Sequence, residues 1–98
     1  MIYLIFYDIT SDRLRTKIAK RFIAEGYERL QYSVYTSIDN PAKNLLLWQE
    51  LTLILKEETG AKLYVIPTLK NNFRNIKIIG NFEYDLAYLL GEKGSLFI

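Results

Sequence analysis

Asp8 is the residue of this 98-residue chain best placed to do chemistry, and its position is the reason. It closes the run Ile2-Tyr3-Leu4-Ile5-Phe6-Tyr7, which has no solubility reason to finish on a charge. The carboxyl end of a strand is where open α/β sheets place ligands. Phosphodiester hydrolysis needs an activated water and a cation to neutralise developing charge. Mg²⁺ supplies both when carboxylate or carbonyl oxygens hold it. One carboxylate is a poor site, so Asp8 has this meaning mainly in a dimer, where a two-fold axis brings a second copy. The bland alternative is that Asp8 caps the following helix or pairs with Arg15, and spacing alone leaves the two readings open.

Composition narrows the chemistry. The chain has neither cysteine nor histidine. Disulfides, thiol nucleophiles, Cys/His zinc sites and imidazole acid–base catalysis are excluded together. Any metal is held by oxygen, which points to Mg²⁺ or Mn²⁺. The other carboxylates are scattered: Asp12 serves the helix start, and Asp39, Glu83 and Asp85 form no evident site. No glycine-rich phosphate loop is present.

Residues 13–29 hold six cations, Arg13, Arg15, Lys17, Lys20, Arg21 and Arg29, against Glu25 and Glu28. A local basic patch of this kind is the footprint of a phosphate-binding surface, or else an ordinary solvated helix face. Tyr3, Phe6 and Tyr7 could form a base-stacking platform, but the Lys/Arg-Gly-aromatic run of such binders is missing. Core packing is the better reading of these rings.

The elements that must position these groups follow from periodicity. A strand over 2–9 is apolar on both faces and is expected to be central and covered on both sides. A helix starts at Ser11 or Asp12 and stops at Gly26, burying Leu14, Ile18, Ala19, Phe22 and Ile23. Arg15 falls in its first turn beside the buried stripe, so it should tuck in close to Asp8. Its partner is then Asp8, Asp12 or a phosphate.

Residues 27–36 alternate: Leu30, Tyr32 and Val34 share the face expected to pack on the helices, and Arg29, Gln31, Ser33 and Tyr35 share a polar face, open or buried in a polar interface. The segment is long for one strand and is expected to bend near Tyr32 and Ser33. Asn40-Pro41 opens a second helix to about residue 58, closed by Gly60, with Leu47, Trp48, Leu51, Ile54 and Leu55 inward. Leu46 and Leu53 fall outside, as scattered surface residues or a docking face.

A strand over 62–66 ends at Pro67, Asn71-Asn72 makes a turn, and strands follow over 76–79 and 95–98. The expected architecture is one α+β domain, a ferredoxin-like βαββαβ sandwich over 1–80. An extension over 81–98 adds a terminal strand that can pair with a second subunit. The longest apolar run is the first seven residues, too short for a membrane span, so a cytoplasmic protein is expected.

Tyr7-Asp8-Ile9-Thr10, the basic helix, Gly26 and the run Arg29-Leu30-Gln31-Tyr32-Ser33-Val34-Tyr35 together resemble a known family. It is the small CRISPR-associated endonuclease family, the second core protein of spacer acquisition and partner of the CRISPR integrase. The likeness extends to Leu89-Leu90-Gly91 and to the terminal Leu96-Phe97-Ile98.

It implies a ferredoxin-like homodimer that cuts RNA or DNA with Mg²⁺ or Mn²⁺, or a non-catalytic dimer that bridges integrase dimers and holds DNA. Residue by residue, the family's metal Asp falls on Asp8, preceded by the matching Tyr7 as second catalytic candidate. Its nucleic-acid contacts fall on Arg15, Arg29 and Tyr35, with Arg13, Lys17 and Lys20 adding charge. Two departures stand out. Thr36-Ser37 replaces an acidic residue and glycine, and Lys17 replaces an arginine, which keeps the charge but loses bidentate phosphate geometry.

Overall fold

The structure is a computed structural model that describes residues 1–77 and 79. The segment 81–98, with its expected terminal strand, lies outside the described residues. The elements are β1 (Ile2–Asp8), α1 (Asp12–Ala24), β2 (Glu28–Gln31), β3 (Val34–Ser37), α2 (Leu45–Leu55), β4 (Lys62–Thr68) and α3 (Lys70–Arg74). The sheet order is β2-β3-β1-β4, and every neighbouring pair is antiparallel. β1 and β2 thus run parallel with β3 between them. This split βαβ unit is the ferredoxin-like arrangement expected from sequence. Among the described residues no helix is long and apolar enough to cross a membrane.

α1 begins where Ser11 accepts the Leu14 N–H, and it is followed by Gly26 at φ +81°. Glu58 reinforces that start from the far end of α2. Its two oxygens accept the Ser11 N–H at 2.7 Å and the Thr10 N–H at 3.0 Å. Leu14, Ile18 and Phe22, four residues apart, enter the core with Ile5, Tyr7, Ile9, Tyr35, Leu47 and Leu51. Ile23 does not join them as expected. It is 61 % exposed, because one step past Phe22 turns the side chain about 100° away from the stripe.

β1 is central, paired with β3 on one side and β4 on the other. Its odd-numbered Ile5 and Tyr7, with Ile9 just beyond its end, pack under the helices. Its even-numbered residues face the other way, where Ile2 is buried but Leu4 and Phe6 are only half-covered. Tyr64 and Ile66, paired with Phe6 and Leu4, remain 46 % and 42 % exposed. The expectation of a strand covered on both sides is corrected for the described residues.

The segment over 27–36 does break at Tyr32-Ser33, into β2 and β3. Two of its residues exchange the environments expected for them. Tyr35 is 0 % exposed, packed against Phe22 with ring centroids 5.0 Å apart, while Tyr32 is 71 % exposed. Tyr35 lies across the ladder from the core residue Ile5 and so faces the helices, and a bulge breaks the alternation that leads to Tyr32: Arg29 pairs with Tyr35 but Gln31 with Val34, so Leu30 is an extra residue in the ladder.

Three further boundaries differ. Asn40-Pro41 opens only a 3₁₀ turn (Pro41–Lys43), and Asn44 caps α2 by accepting the Leu47 N–H. β4 runs through Pro67 to Thr68, which a strand at the sheet edge tolerates. The Asn71-Asn72 turn is instead part of α3. Ile76, Lys77 and Ile79 lie in no strand, and Ile78 is outside the described residues.

Candidate metal carboxylate and phosphate-binding surface

Asp8 ends β1 on the sheet face away from the helices, exposed, and directly across the ladder from Lys62. Neighbouring even positions on β1 and β4 place it at the end of the partly open apolar face of Leu4, Phe6, Tyr64 and Ile66. Among the described residues no three acidic side chains come together to hold a metal ion. One chain therefore offers a hard-oxygen donor suited to Mg²⁺ but not a complete site.

Arg15 does reach the carboxyl end of β1, but it does not pair with Asp8. Its Nη1 donates to the Ile9 carbonyl at 3.1 Å, and its Nη2 pairs with Asp12. The reason is topological: the helix lies on one sheet face and Asp8 on the other.

Tyr7 is buried, with its hydroxyl donating to the Tyr32 carbonyl at 3.3 Å. Burial pushes its phenol up to about 12. The neighbouring Tyr35 phenol adds to the rise, and the Arg29 and Arg15 charges oppose it. A phenol so held keeps its proton at neutral pH. Tyr35 is wholly in the core, not at the surface that a nucleic-acid contact requires, and its hydroxyl is buried without a well-formed hydrogen bond.

The basic helix is less uniformly positive than its sequence. Arg13 pairs with Glu57 at 2.9 Å and Lys17 with the same carboxylate at 3.7 Å. The Arg13 hydrogen bond is the main reason the Glu57 carboxyl lies below its ordinary range. Arg21 bridges Glu50 and Glu25. Glu58 fills the amino terminus of α1, so that end is not an empty anion site. Lys20 has no ion-pair partner among the described residues.

Among the described residues Arg29 has no ion pair and donates to backbone carbonyls. Its Nη2 donates to Tyr32 O at 2.8 Å and its Nε to Gln31 O at 3.4 Å. Its guanidinium also lies over the Tyr32 and Tyr35 rings, 4.8 and 5.7 Å from their centroids. A cleft of about 340 Å³ gathers Arg15, Lys20 and Arg29 around Tyr32. The sequence reading missed Tyr32, because alternation put it on the buried face. Its place in the turn between two short strands was the available signal.

The described geometry can be set beside known proteins. Residues 1–76 match the family model described as CRISPR associated protein Cas2. A CRISPR-associated endoribonuclease of Chloroflexus aurantiacus is 39 % identical over 83 residues, 83 % of this chain and 86 % of that protein. One from Archaeoglobus fulgidus is 26 % identical over 98 residues, the whole of both chains. The crystal structure of Streptococcus pyogenes Cas2 superposes with a TM-score of 0.63 at 26 % identity, covering 82 % of this chain and 100 % of that one. A hypothetical protein from Thermus thermophilus, at 21 % identity and TM-score 0.64, shares the fold over 85 % of this chain and 94 % of its own. With its split βαβ sheet, its exposed strand-end aspartate and a family match over most of its length, the chain belongs to the CRISPR-associated Cas2 family.

Proposed function

We propose that this chain is a nuclease subunit of CRISPR spacer acquisition, working as a cytoplasmic homodimer on RNA or DNA alongside the CRISPR integrase. The observation behind this reading is Asp8: an exposed carboxylate with no ion pair among the described residues, at the rim of a partly open apolar sheet face. A second copy docked on that face would bury Leu4, Phe6, Tyr64 and Ile66 and could bring two Asp8 side chains together. Mg²⁺ or Mn²⁺, bound there, would supply water activation and charge neutralisation for phosphodiester hydrolysis.

The chain's own residues do the rest. Among the described residues no carboxylate pairs with Lys20 or Arg29, and these are the readiest phosphate contacts. Arg15, Arg13 and Lys17 join by exchanging Asp12 or Glu57 for phosphate oxygens, since exposed ion pairs are weak. Tyr7 and Tyr35 shape the site from beneath: their packed rings hold the end of β1 and the Arg29 guanidinium. The relatives named endoribonucleases support RNA as one substrate.

The test is metal-dependent cleavage of labelled RNA and DNA by wild type and Asp8→Asn, with dimer mass measured alongside. Loss of cleavage with the dimer intact supports the proposal, and unchanged cleavage defeats it.

A second reading, a DNA-holding scaffold without chemistry, is favoured by the lone carboxylate and by its separation from the cations on the other sheet face. Spacer acquisition in cells discriminates the two. The scaffold reading requires Asp8→Asn to remain competent while charge reversal of Arg13, Lys17 and Lys20 fails.

A further inference from the structure

We infer that the cleft between α1 and the β2–β3 hairpin is a site for one unpaired nucleotide, with Tyr32 as its stacking platform. The inference rests on the proposed nucleic-acid function and names the part of the ligand that this cleft takes.

Tyr32 is a large aromatic ring, mostly exposed at a hairpin tip, where a polar residue is the ordinary choice. Its backbone is nonetheless fixed. Its carbonyl accepts from Tyr7 Oη at 3.3 Å and from Arg29 Nη2 at 2.8 Å. Its ring is steered by two guanidiniums, Arg29 at 4.8 Å and Arg15 at 6.0 Å from the centroid. An exposed ring held this firmly loses little further freedom on binding.

The cleft's chemistry matches a nucleotide in both its parts. Among the described residues that line it, Arg15, Lys20 and Arg29 face one carboxylate, Asp12, which Arg15 already engages. The excess positive charge suits a phosphate. Ile23, turned out of the core, joins Tyr32 in offering apolar surface in the same cleft. The volume, about 340 Å³, is at the small end of ligand sites, which run about 300–1,000 Å³. Stacking on a tyrosine needs an exposed base face, which a duplex hides within its stack. The ligand is therefore a single strand, an overhang or a frayed end, in RNA or DNA.

The experiment uses the full chain and short single strands carrying 2-aminopurine, in RNA and DNA versions, with a blunt duplex as control. Wild type is expected to quench the fluorophore with one or both sugars. Tyr32→Leu should abolish quenching and weaken single-strand binding about tenfold, in line with losing one stacked base. It should leave duplex affinity within about twofold, and Tyr32→Trp should restore both signals. Melting curves confirm that the exposed substitutions leave the fold intact. Single-strand binding that ignores Tyr32 while wild type binds nucleic acid overturns this inference alone. Equal losses for strand and duplex also overturn it, and assign Tyr32 to a general or protein-facing contact. Failure of wild type to bind either ligand overturns the functional reading beneath it as well.

Discussion

The phenolic hydroxyl of Tyr7 donates to the carbonyl of Tyr32, 25 residues away, and ties the central strand to the tip of the β2–β3 hairpin. The residue before the candidate metal ligand thereby also orients the exposed ring of the cleft. Tyr7→Phe should cost about 0.5–1.5 kcal/mol, because Arg29 still satisfies the same carbonyl. Its pH signature is more specific. The folded phenol holds its proton to about 12 against an ordinary value of 10.0. Between those values the unfolded chain loses the proton first, so stability falls as pH rises through that window and is complete below it. Denaturant melts at pH 8 and pH 11 should show a larger loss for wild type than for Tyr7→Phe.

Tyr35→Phe removes a hydroxyl buried without a well-formed partner. It is expected to be neutral within about 0.5 kcal/mol, or slightly stabilising. Tyr35→Ala, which empties the space beside Phe22 and Tyr7, should cost about 3–5 kcal/mol. Urea midpoints at fixed pH separate these outcomes. A large loss in Tyr35→Phe would show that the hydroxyl is bonded after all.

Glu58→Ala deletes the acceptor of two backbone donors at the entry to α1. A loss of about 1–2 kcal/mol is expected, within the range of helix caps. Thermal melting is the check, at roughly 4–8 °C per kcal/mol for a domain of this size.

Nucleic-acid affinity should respond unequally to the cations of α1 and β2. Lys20→Gln and Arg29→Gln each remove a charge that no carboxylate among the described residues holds, so each should lower the slope of log K against log salt by about one. Arg13→Gln removes a charge already paired with Glu57, so its effect on the slope should be smaller. Titrations at four salt concentrations measure both.

Asp8→Asn should leave the melting temperature within about 2 °C of wild type, because an exposed side chain with no ion pair among the described residues contributes little to stability. Loss of metal-dependent cleavage in a fully stable variant would then be assigned to chemistry alone.

Local signals reached far into this fold. Ser11 and Gly26 bracketed the first helix, the apolar run marked β1 as central, and Arg15 was placed at the carboxyl end of β1. What sequence could not reveal was set by pairing at a distance. Glu57 and Glu58, more than 40 positions from Arg13 and Ser11, neutralise and cap a helix that looked free. Alternation around Tyr32 and Tyr35 misled because a period-two pattern survives a bulge in the sequence but not in space. The partner of Asp8 is not written in one chain's spacing at all.

Leu30 gives the bulge a consequence of its own. As the supernumerary residue between Arg29 and Gln31, it acts as a spacer, and its length matters more than its side chain. Replacing it changes one half-buried contact. Deleting it would draw Gln31 onto the rung beside Arg29 and straighten the bend that the extra residue puts into β2, displacing Tyr32 and the turn. At this point the alphabet is counted rather than read, and a conservative-looking gap would do more damage than a radical substitution.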